Sequence, residues 1–221
     1  MVTPFRDGKI DYPAAGALIE WYLSNGVDGI FAVCQSSEMF SLSLEEREAL
    51  GRFVVEKTAG RVPVVVSGHI SEEHGKQLTE LSAMAKTGAD AVVLVTNRLA
   101  AEEESDEVFK ERLEQILTAI PDCKFGLYEC PYPYKRLLSP ELLKFCADTG
   151  RIGFLKDTSC DAVQIREKLA AVAGTGFQLF NANTATLLES MRDGAAGYCG
   201  VMANYHPQLY HWLVRNVLSK E

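Results

Sequence analysis

The chain has 221 residues, of which 47% are hydrophobic, and carries a formal net charge of −8 at pH 7. This length is enough for one large core, and the negative charge argues against nucleic acid as a partner. We find no signal-peptide pattern and no apolar run long enough to span a membrane, so we expect a cytoplasmic protein without membrane partners.

Short apolar runs that resemble strands recur along the whole chain. The segment MVTPF (1–5) is interpreted as the stub of a first strand. Seven further runs follow at 29–33, 62–68, 91–96, 124–131, 152–157, 177–183 and 196–204. Continuous apolar runs, rather than alternating ones, are typical of parallel strands that are buried on both faces.

Amphipathic segments lie between these runs. Ser43 and Glu46 predict a capping box for a helix that ends at Gly60, and Ser139 and Pro140 predict the start of a later helix. Two more helices are predicted from apolar residues at helical spacing, within 71–90 and 104–122.

Eight β/α units predict a (β/α)₈ TIM barrel, formed by one domain that spans residues 1–221. A doubly wound open sheet is the alternative, although no G-x-G-x-x-G follows an early strand. The first strand is nearly absent, and the sequence stops in a predicted helix at 208–221. We therefore expect a barrel whose first strand is truncated and which lacks a helical extension at its C-terminal end.

The six cysteines lack the spacings of metal or redox sites, because none forms a C-x-x-C pair and no His–Cys spacing suits zinc. Several lie in apolar runs. We therefore expect reduced thiols in the core of a cytosolic protein and no metal site.

Lys156 follows the apolar residues GFL at the end of a predicted strand, where barrels of this kind form their active sites. Phe154 lies two residues earlier on the same strand face. An apolar interior disfavours an ammonium group, and a neutral amine can attack a carbonyl to form a Schiff base. The alternative is a structural lysine that pairs with Asp157 at the rim of the barrel.

Tyr128 ends the preceding predicted strand, and Gly126 leaves space below it. Its hydroxyl could transfer a proton during imine formation, or it could be a packing residue with its hydroxyl at the surface. Ser36 and Ser37 follow the second strand. Their hydroxyls and amides could hold a carboxylate, or they could form an ordinary turn.

The segments TPF followed by DG, GVDGIFAVCQSSEMFSLSLEER, GLYECPYP and GFLKDTS occur in this order. Together they resemble the dihydrodipicolinate synthase/N-acetylneuraminate lyase family of class I aldolases, over nearly the whole chain. The resemblance implies a barrel and a pyruvate-type 2-keto acid bound as a Schiff base, with an aldehyde as its partner. It implies neither a cofactor nor a metal. We also expect a homo-oligomer, either a dimer or a tetramer.

The resemblance also implies a role for particular residues. Lys156 is the Schiff-base lysine and Tyr128 is the proton shuttle. The implied substrate-binding residues are Ser36 and Ser37 as a carboxylate grip, Gln35 in place of a small hydroxyl residue of the relay, Thr158 beyond the imine, and Cys199 in place of an apolar wall residue.

Three departures from the family concern specificity. Pro133 stands where the synthases carry an arginine for the second substrate's carboxylate, although Lys135 or Arg136 could reach it from another direction. The loop TNRLAAEEE lacks the tyrosine that synthases lend across a subunit interface. NANTAT stands where sialic-acid lyases place an Asp-Glu pair.

The leading hypothesis is therefore a Schiff-base-forming lyase or aldolase that acts on pyruvate or a related 2-keto acid. One alternative is dihydrodipicolinate synthase itself, which condenses pyruvate with aspartate semialdehyde. The others are a non-catalytic 2-keto-acid-binding protein and an inactive fragment.

Overall fold

The computed structural model describes residues 1–218. The strands are β1 (Phe5–Arg6), β2 (Lys9–Ile10), β3 (Ile30–Ala32), β4 (Val64–Val66), β5 (Ala91–Val95), β6 (Phe125–Tyr128), β7 (Ile152–Asp157), β8 (Gln178–Asn181) and β9 (Gly197–Tyr198). The α-helices are α1 (Tyr12–Ser24), α2 (Leu44–Thr58), α3 (His74–Ala85), α4 (Thr96–Leu99), α5 (Asp106–Ala119), α6 (Pro140–Asp148), α7 (Ala162–Ala171), α8 (Leu187–Arg192) and α9 (Pro207–Leu218).

The strands β3 to β9 form a parallel sheet in which each strand pairs with the next one along the chain. Helices follow the strands and cover the sheet, and β5 and β6 are buried at every position. This unbroken order differs from a doubly wound sheet, in which the strand order reverses at a switch point. Residues of both edge strands, Phe31 of β3 and Tyr198 of β9, line one cleft, so the sheet curls round. The fold is α/β and TIM-barrel-like.

The seven predicted strands after the N-terminus are confirmed, but the eighth, expected at 1–5, is not confirmed and is not part of the parallel sheet. Phe5 lies in β1, which pairs with β2 in a separate antiparallel hairpin. Asp7 and Gly8 both have positive φ angles, as a two-residue hairpin turn requires, and this turn reverses the chain. Before the hairpin, the Met1 amino group donates a hydrogen bond to the carbonyl of Phe31 at the edge of the sheet.

The predicted helix starts are confirmed. Ser43 and Glu46 form a capping box at the start of α2, with hydrogen bonds of 3.2 and 2.9 Å in the two directions. Ser139 caps α6 by accepting a hydrogen bond from the amide of Leu142, and Pro140 is the first helical residue. The helix predicted at 208–221 is α9 over its described part, and residues 219–221 lie outside the described residues.

Two further expectations concern the chain as a whole. None of the helices within residues 1–218 is long and apolar enough to cross a membrane. All six cysteines are free thiols, and Cys34, Cys130 and Cys146 are buried.

Candidate active site

The two residues that sequence patterns single out most strongly are neighbours in the sheet. Tyr128 of β6 and Lys156 of β7 are directly paired across the two parallel strands. The Lys156 amine lies 4.4 Å from the centroid of the Tyr128 ring and 5.2 Å from that of Phe31. Only 7% of Lys156 is exposed. Strand pairing and aromatic packing therefore hold the largely buried lysine at the strand ends.

Tyr128 is buried, so the alternative with its hydroxyl at the surface is excluded. Its hydroxyl donates a hydrogen bond to Oε1 of Gln35, at 3.3 Å. Burial, together with the nearby thiols of Cys130 and Cys34, raises the pKa of Tyr128 well above its usual range. The phenol is therefore protonated at neutral pH and able to donate a proton to an oxygen that develops negative charge.

Gln35, Ser36 and Ser37 form one 3₁₀ turn, which two residues separate from the end of β3. Ser36 lines a cleft of about 100 Å³ together with Lys156. Ser37 is fully buried, and its hydroxyl donates a hydrogen bond to the carbonyl of Met1 at 2.7 Å. The two serines therefore differ, because Ser36 faces the cleft while the Ser37 hydroxyl is bonded to backbone.

Cys199 and Thr158 complete the set of expected site residues. Cys199 lines the same cleft as Lys156 and Ser36. Thr158 is buried beside β6, where its hydroxyl donates to the carbonyl of Glu129 at 2.5 Å. Cys34 also lines the cleft and was not singled out by its sequence context. The signal that indicates it is its place at the end of the predicted strand 29–33, where barrels of this kind form their active sites.

The segment after β6 is held by the short helix α4. Thr96 donates a hydrogen bond to the carbonyl of Arg136, and the Asn97 amide group donates to the carbonyls of Cys130 and Tyr132. The loop TNRLAAEEE thus supports the neighbouring loop instead of carrying a tyrosine into the site.

The two cations near Pro133 have different surroundings. Arg136 donates to the carbonyls of Ala101 and Glu104 and forms a 2.9 Å ion pair with Asp106 at the start of α5. Lys135 is exposed and donates to the carbonyl of Thr158 at 2.8 Å. Only Lys135 is therefore near an expected site residue, and Arg136 is held by the neighbouring helix.

Asp157 is bound to a different lysine from the one expected in the structural alternative. Its partner is Lys168 of α7, which also binds Glu129, with both distances at 2.6 Å. Glu129 and Lys168 were not among the predicted site residues, because no short sequence pattern indicates that a helix residue will bind the carboxylates at two strand ends. Within residues 1–218, no group of His, Cys, Asp or Glu side chains is arranged to hold a metal ion.

A curled parallel sheet that presents a buried lysine at a strand end, with a tyrosine on the next strand, has the architecture of class I aldolases. The sequence model of the Dihydrodipicolinate synthetase family matches residues 1–219, and the chain belongs to this family. Enzymes of the family are aldolase-type lyases that form or break carbon–carbon bonds, and this chain is an enzyme of that class.

Individual relatives agree with this assignment. The 4-hydroxy-tetrahydrodipicolinate synthase of Bradyrhizobium diazoefficiens is 30% identical over 213 residues, which cover 95% of this chain and 69% of the relative. The synthase of Thermoanaerobacter sp. (strain X514) is 28% identical over 223 residues, covering 99% of this chain and 72% of the relative.

A solved structure provides a three-dimensional comparison. YagE, a prophage protein of the dihydrodipicolinic acid synthase family from E. coli K12, was solved in complex with pyruvate. It is 25% identical to this chain, and the TM-score is 0.89 over 99% of this chain and 73% of YagE.

Proposed function

We propose that this protein is a Schiff-base-forming lyase or aldolase that acts on pyruvate or a related 2-keto acid. The observation that carries the proposal is the Lys156 amine, buried at a strand end and 4.4 Å from the centroid of the Tyr128 ring. The pyruvate bound to YagE supports the substrate class, because that protein belongs to the same family.

In the proposed reaction, the Lys156 nitrogen attacks C2 of the keto acid in its unprotonated form, and transfer of a proton from the nitrogen to the carbonyl oxygen gives a carbinolamine. The Tyr128 hydroxyl then gives a proton to the departing hydroxyl group, which leaves as water, and the nitrogen keeps its remaining proton in the protonated imine that results. Gln35 orients the Tyr128 hydroxyl by accepting its hydrogen bond in the resting enzyme. The tyrosine recovers its proton from the reaction medium before the imine is hydrolysed.

The substrate carboxylate is proposed to bind at the turn after β3. Ser36 lines the cleft and supplies a hydroxyl donor, while Ser37 holds the shape of the turn through its bond to the Met1 carbonyl. Thr158 lies beyond the imine, and Cys199 forms part of the cleft wall. The protonated imine accepts an electron pair and becomes an enamine, so the bound keto acid can add to an aldehyde or release one.

A second candidate is 4-hydroxy-tetrahydrodipicolinate synthase, the activity for which the relatives at 28% and 30% identity are named. A cation that could bind the carboxylate of aspartate semialdehyde is missing at the expected position, because Pro133 carries no charge and Arg136 is bound to Ala101 and Asp106 near α5. We therefore favour an aldehyde partner that is neutral, or one whose charge reaches Lys135.

Borohydride trapping tests the proposed chemistry. Incubation with pyruvate and borohydride should add the mass of the reduced adduct to the peptide that contains Lys156, and Lys156→Ala should abolish this labelling. Lys144→Ala, which removes a lysine of α6 whose side chain is 45% exposed, is the matched control and should label like the wild type. Undiminished labelling of Lys156→Ala would exclude Lys156 as the imine-forming residue.

The same experiment separates the remaining functions. Imine formation with no aldehyde accepted, over a panel of neutral and charged aldehydes, would favour the 2-keto-acid-binding protein. Efficient condensation with aspartate semialdehyde would favour the synthase. Absence of a cooperative melting transition would favour an inactive fragment.

We further propose that residues 1–221 act as one barrel domain in a cytoplasmic homo-oligomer. The exposed side chains of Tyr205, Leu209 and Trp212 near the end of the chain support self-association, since large apolar groups at a surface favour burial. Light scattering coupled to gel filtration would give the oligomeric state.

A further inference from the structure

A buried ion cluster lies directly behind the Lys156–Tyr128 pair. It consists of Glu129, Asp157 and Lys168, which are named the anchor cluster below. Side chains alternate across a strand, so Glu129 and Asp157 point to the face opposite that of Tyr128 and Lys156. On that face α7 supplies Lys168, whose amine lies 2.6 Å from a carboxylate oxygen of each acid.

The remaining hydrogen bonds of the cluster go to the segments that carry the site. The second oxygen of Glu129 accepts from the amide of Thr158 at 3.2 Å, and its first oxygen also accepts from Leu138. The free oxygen of Asp157 accepts from the amide and the hydroxyl of Ser159. All three cluster side chains are at most 1% exposed.

Stability alone gives a weak reason for such a cluster. Buried ion pairs are often no better than apolar residues of similar volume, because desolvation offsets their attraction. A fixed set of charged hydrogen bonds does, however, restrict geometry more strongly than apolar packing. A backbone hydrogen bond also joins the two strand ends, because the amide of Glu129 donates to the carbonyl of Lys156 at 3.3 Å.

We propose that Glu129, Asp157 and Lys168 are positioning residues, which hold the ends of β6 and β7 so that the Lys156 amine and the Tyr128 hydroxyl meet the same substrate carbonyl. This inference rests on the proposed imine chemistry. Each acid directly follows one of the two reacting residues in the chain, and Lys168 joins the two acids. A displacement at either strand end is thereby resisted by the other.

The charges of the anchor cluster give it a measurable signature. Burial raises the pKa of Glu129 to about 7, Asp157 adds to this rise, and Lys168 opposes it. Burial disfavours the Lys168 ammonium, but Glu129 and Asp157 outweigh this effect and raise the pKa of Lys168. The groups that face Glu129 are Asp157 from β7 and Lys168 from α7. Protonation of Glu129 near neutral pH removes one of the two negative partners of Lys168, leaves Asp157 as the other, and weakens the link between the two strand ends.

The test compares Glu129→Gln with the wild type in the rate of borohydride-trapped imine formation with pyruvate, between about pH 5.5 and 9. Glutamine keeps the shape and one acceptor oxygen but removes the charge. We expect the rate at pH 8 to fall by about tenfold or more and the inflection near pH 7 to disappear. The apparent affinity for pyruvate should change less than threefold, because the proposed carboxylate contact lies on another segment.

Glu167→Gln is the matched control, since Glu167 precedes Lys168 on α7 and is exposed. It should leave the rate and the pH profile unchanged. Circular dichroism and thermal melting check the fold of each variant. If Glu129→Gln does not fold, the neutral triple variant Glu129→Gln, Asp157→Asn and Lys168→Met replaces it, because neutral side chains of similar volume often preserve stability at such sites.

The outcomes separate this inference from the proposed function. A wild-type chain that forms no imine at Lys156 would overturn both. A wild-type chain that labels at Lys156, beside a folded variant with the same rate and pH profile, would overturn only the positioning role. Unfolding of both variants would assign the cluster to stability alone and would overturn the positioning role as well.

Discussion

Gly126→Ala tests how tightly the barrel interior is packed below the reacting residues. Gly126 lies on β6, two residues before Tyr128, and the ring of Phe154 from β7 covers it. A Cβ atom at position 126 would lie 2.1, 2.3 and 2.5 Å from three carbons of that ring. Because Phe154 precedes Lys156 by two residues, the substitution strains the strand that carries the amine.

The size of the effect follows from these distances. Carbon atoms in contact are separated by about 3.5–4.0 Å, so the ring or the strand must move by roughly 1.4 Å. Overpacking of a well-filled core typically costs about 1–3 kcal/mol, and we expect a loss of about 2 kcal/mol in the free energy of unfolding. For a chain of this size, that corresponds to a decrease of about 4–8 °C in the melting temperature.

Denaturant unfolding provides the assay, and Gly153→Ala on β7 is the matched control. The nearest atom to a Cβ at position 153 is a backbone oxygen 4.0 Å away, so this substitution should change stability by less than about 0.5 kcal/mol. In Gly126→Ala combined with Phe154→Leu, much of the loss should be recovered, since the branched chain leaves more room than the ring. Equal stability of the two alanine variants would refute the packing argument.

Three further predictions concern the site and its surroundings. Tyr128→Phe removes the proton donor and should slow imine trapping with pyruvate by about 10²-fold, with little change in melting temperature. Condensation of aspartate semialdehyde with pyruvate should be about 10- to 10²-fold less efficient than with the preferred aldehyde in steady-state assays. The reason is that an absent charged hydrogen bond costs roughly 1.5–3 kcal/mol, and Pro133 cannot supply one. Burial lowers the pKa of His69 to about 4, so the folded protein holds this residue neutral while the unfolded chain protonates it below its ordinary value of 6.5. The contribution of neutral His69 to the free energy of unfolding is therefore fully present above that value and is lost as the pH falls. In denaturant unfolding, we expect the free energy of unfolding to decrease by about 2 kcal/mol between about pH 7.5 and 5.

Each of these predictions has a clear counter-result. Unchanged trapping in Tyr128→Phe would make the tyrosine a packing residue. Condensation of aspartate semialdehyde at rates typical of good enzymes would favour the synthase. If unfolding of His69→Gln had the same pH dependence as unfolding of the wild type, His69 would not be its cause. Glutamine is chosen because Nδ1 of His69 accepts a hydrogen bond from the Val95 amide, and the glutamine side chain also carries an acceptor.

The strands and helix starts that depend on neighbouring residues in the chain are predictable from the amino-acid sequence. The parallel strands from 29 onward are apolar on both faces, and this property is visible in short runs of residues. The starts of α2 and α6 were equally predictable, because a capping serine acts on residues only three positions away. The resemblance to the family rested on such short segments, and the family assignment is confirmed over residues 1–219. The roles of the individual site residues stay predictions.

The first strand shows where local patterns misled the prediction. The apolar segment MVTPF predicts a barrel strand, but the adjacent Asp7–Gly8 turn folds Phe5 back onto Ile10. A two-residue turn with positive φ angles forms a hairpin with its immediate neighbours. Only Phe5 and Arg6 of this region pair within the hairpin, and the Met1 amino group bonds to Phe31 at the edge of the parallel sheet.

The tertiary structure alone decided which polar groups meet. The bond between Tyr128 and Gln35 joins residues 93 positions apart, and Lys168 reaches Glu129 across 39 positions. In the tertiary structure Asp157 also pairs with Lys168 and not with Lys156. The Lys156 amine lies against two aromatic rings instead. A sequence indicates which side chains are charged, but the partner of a buried charge depends on which helix packs behind which strand.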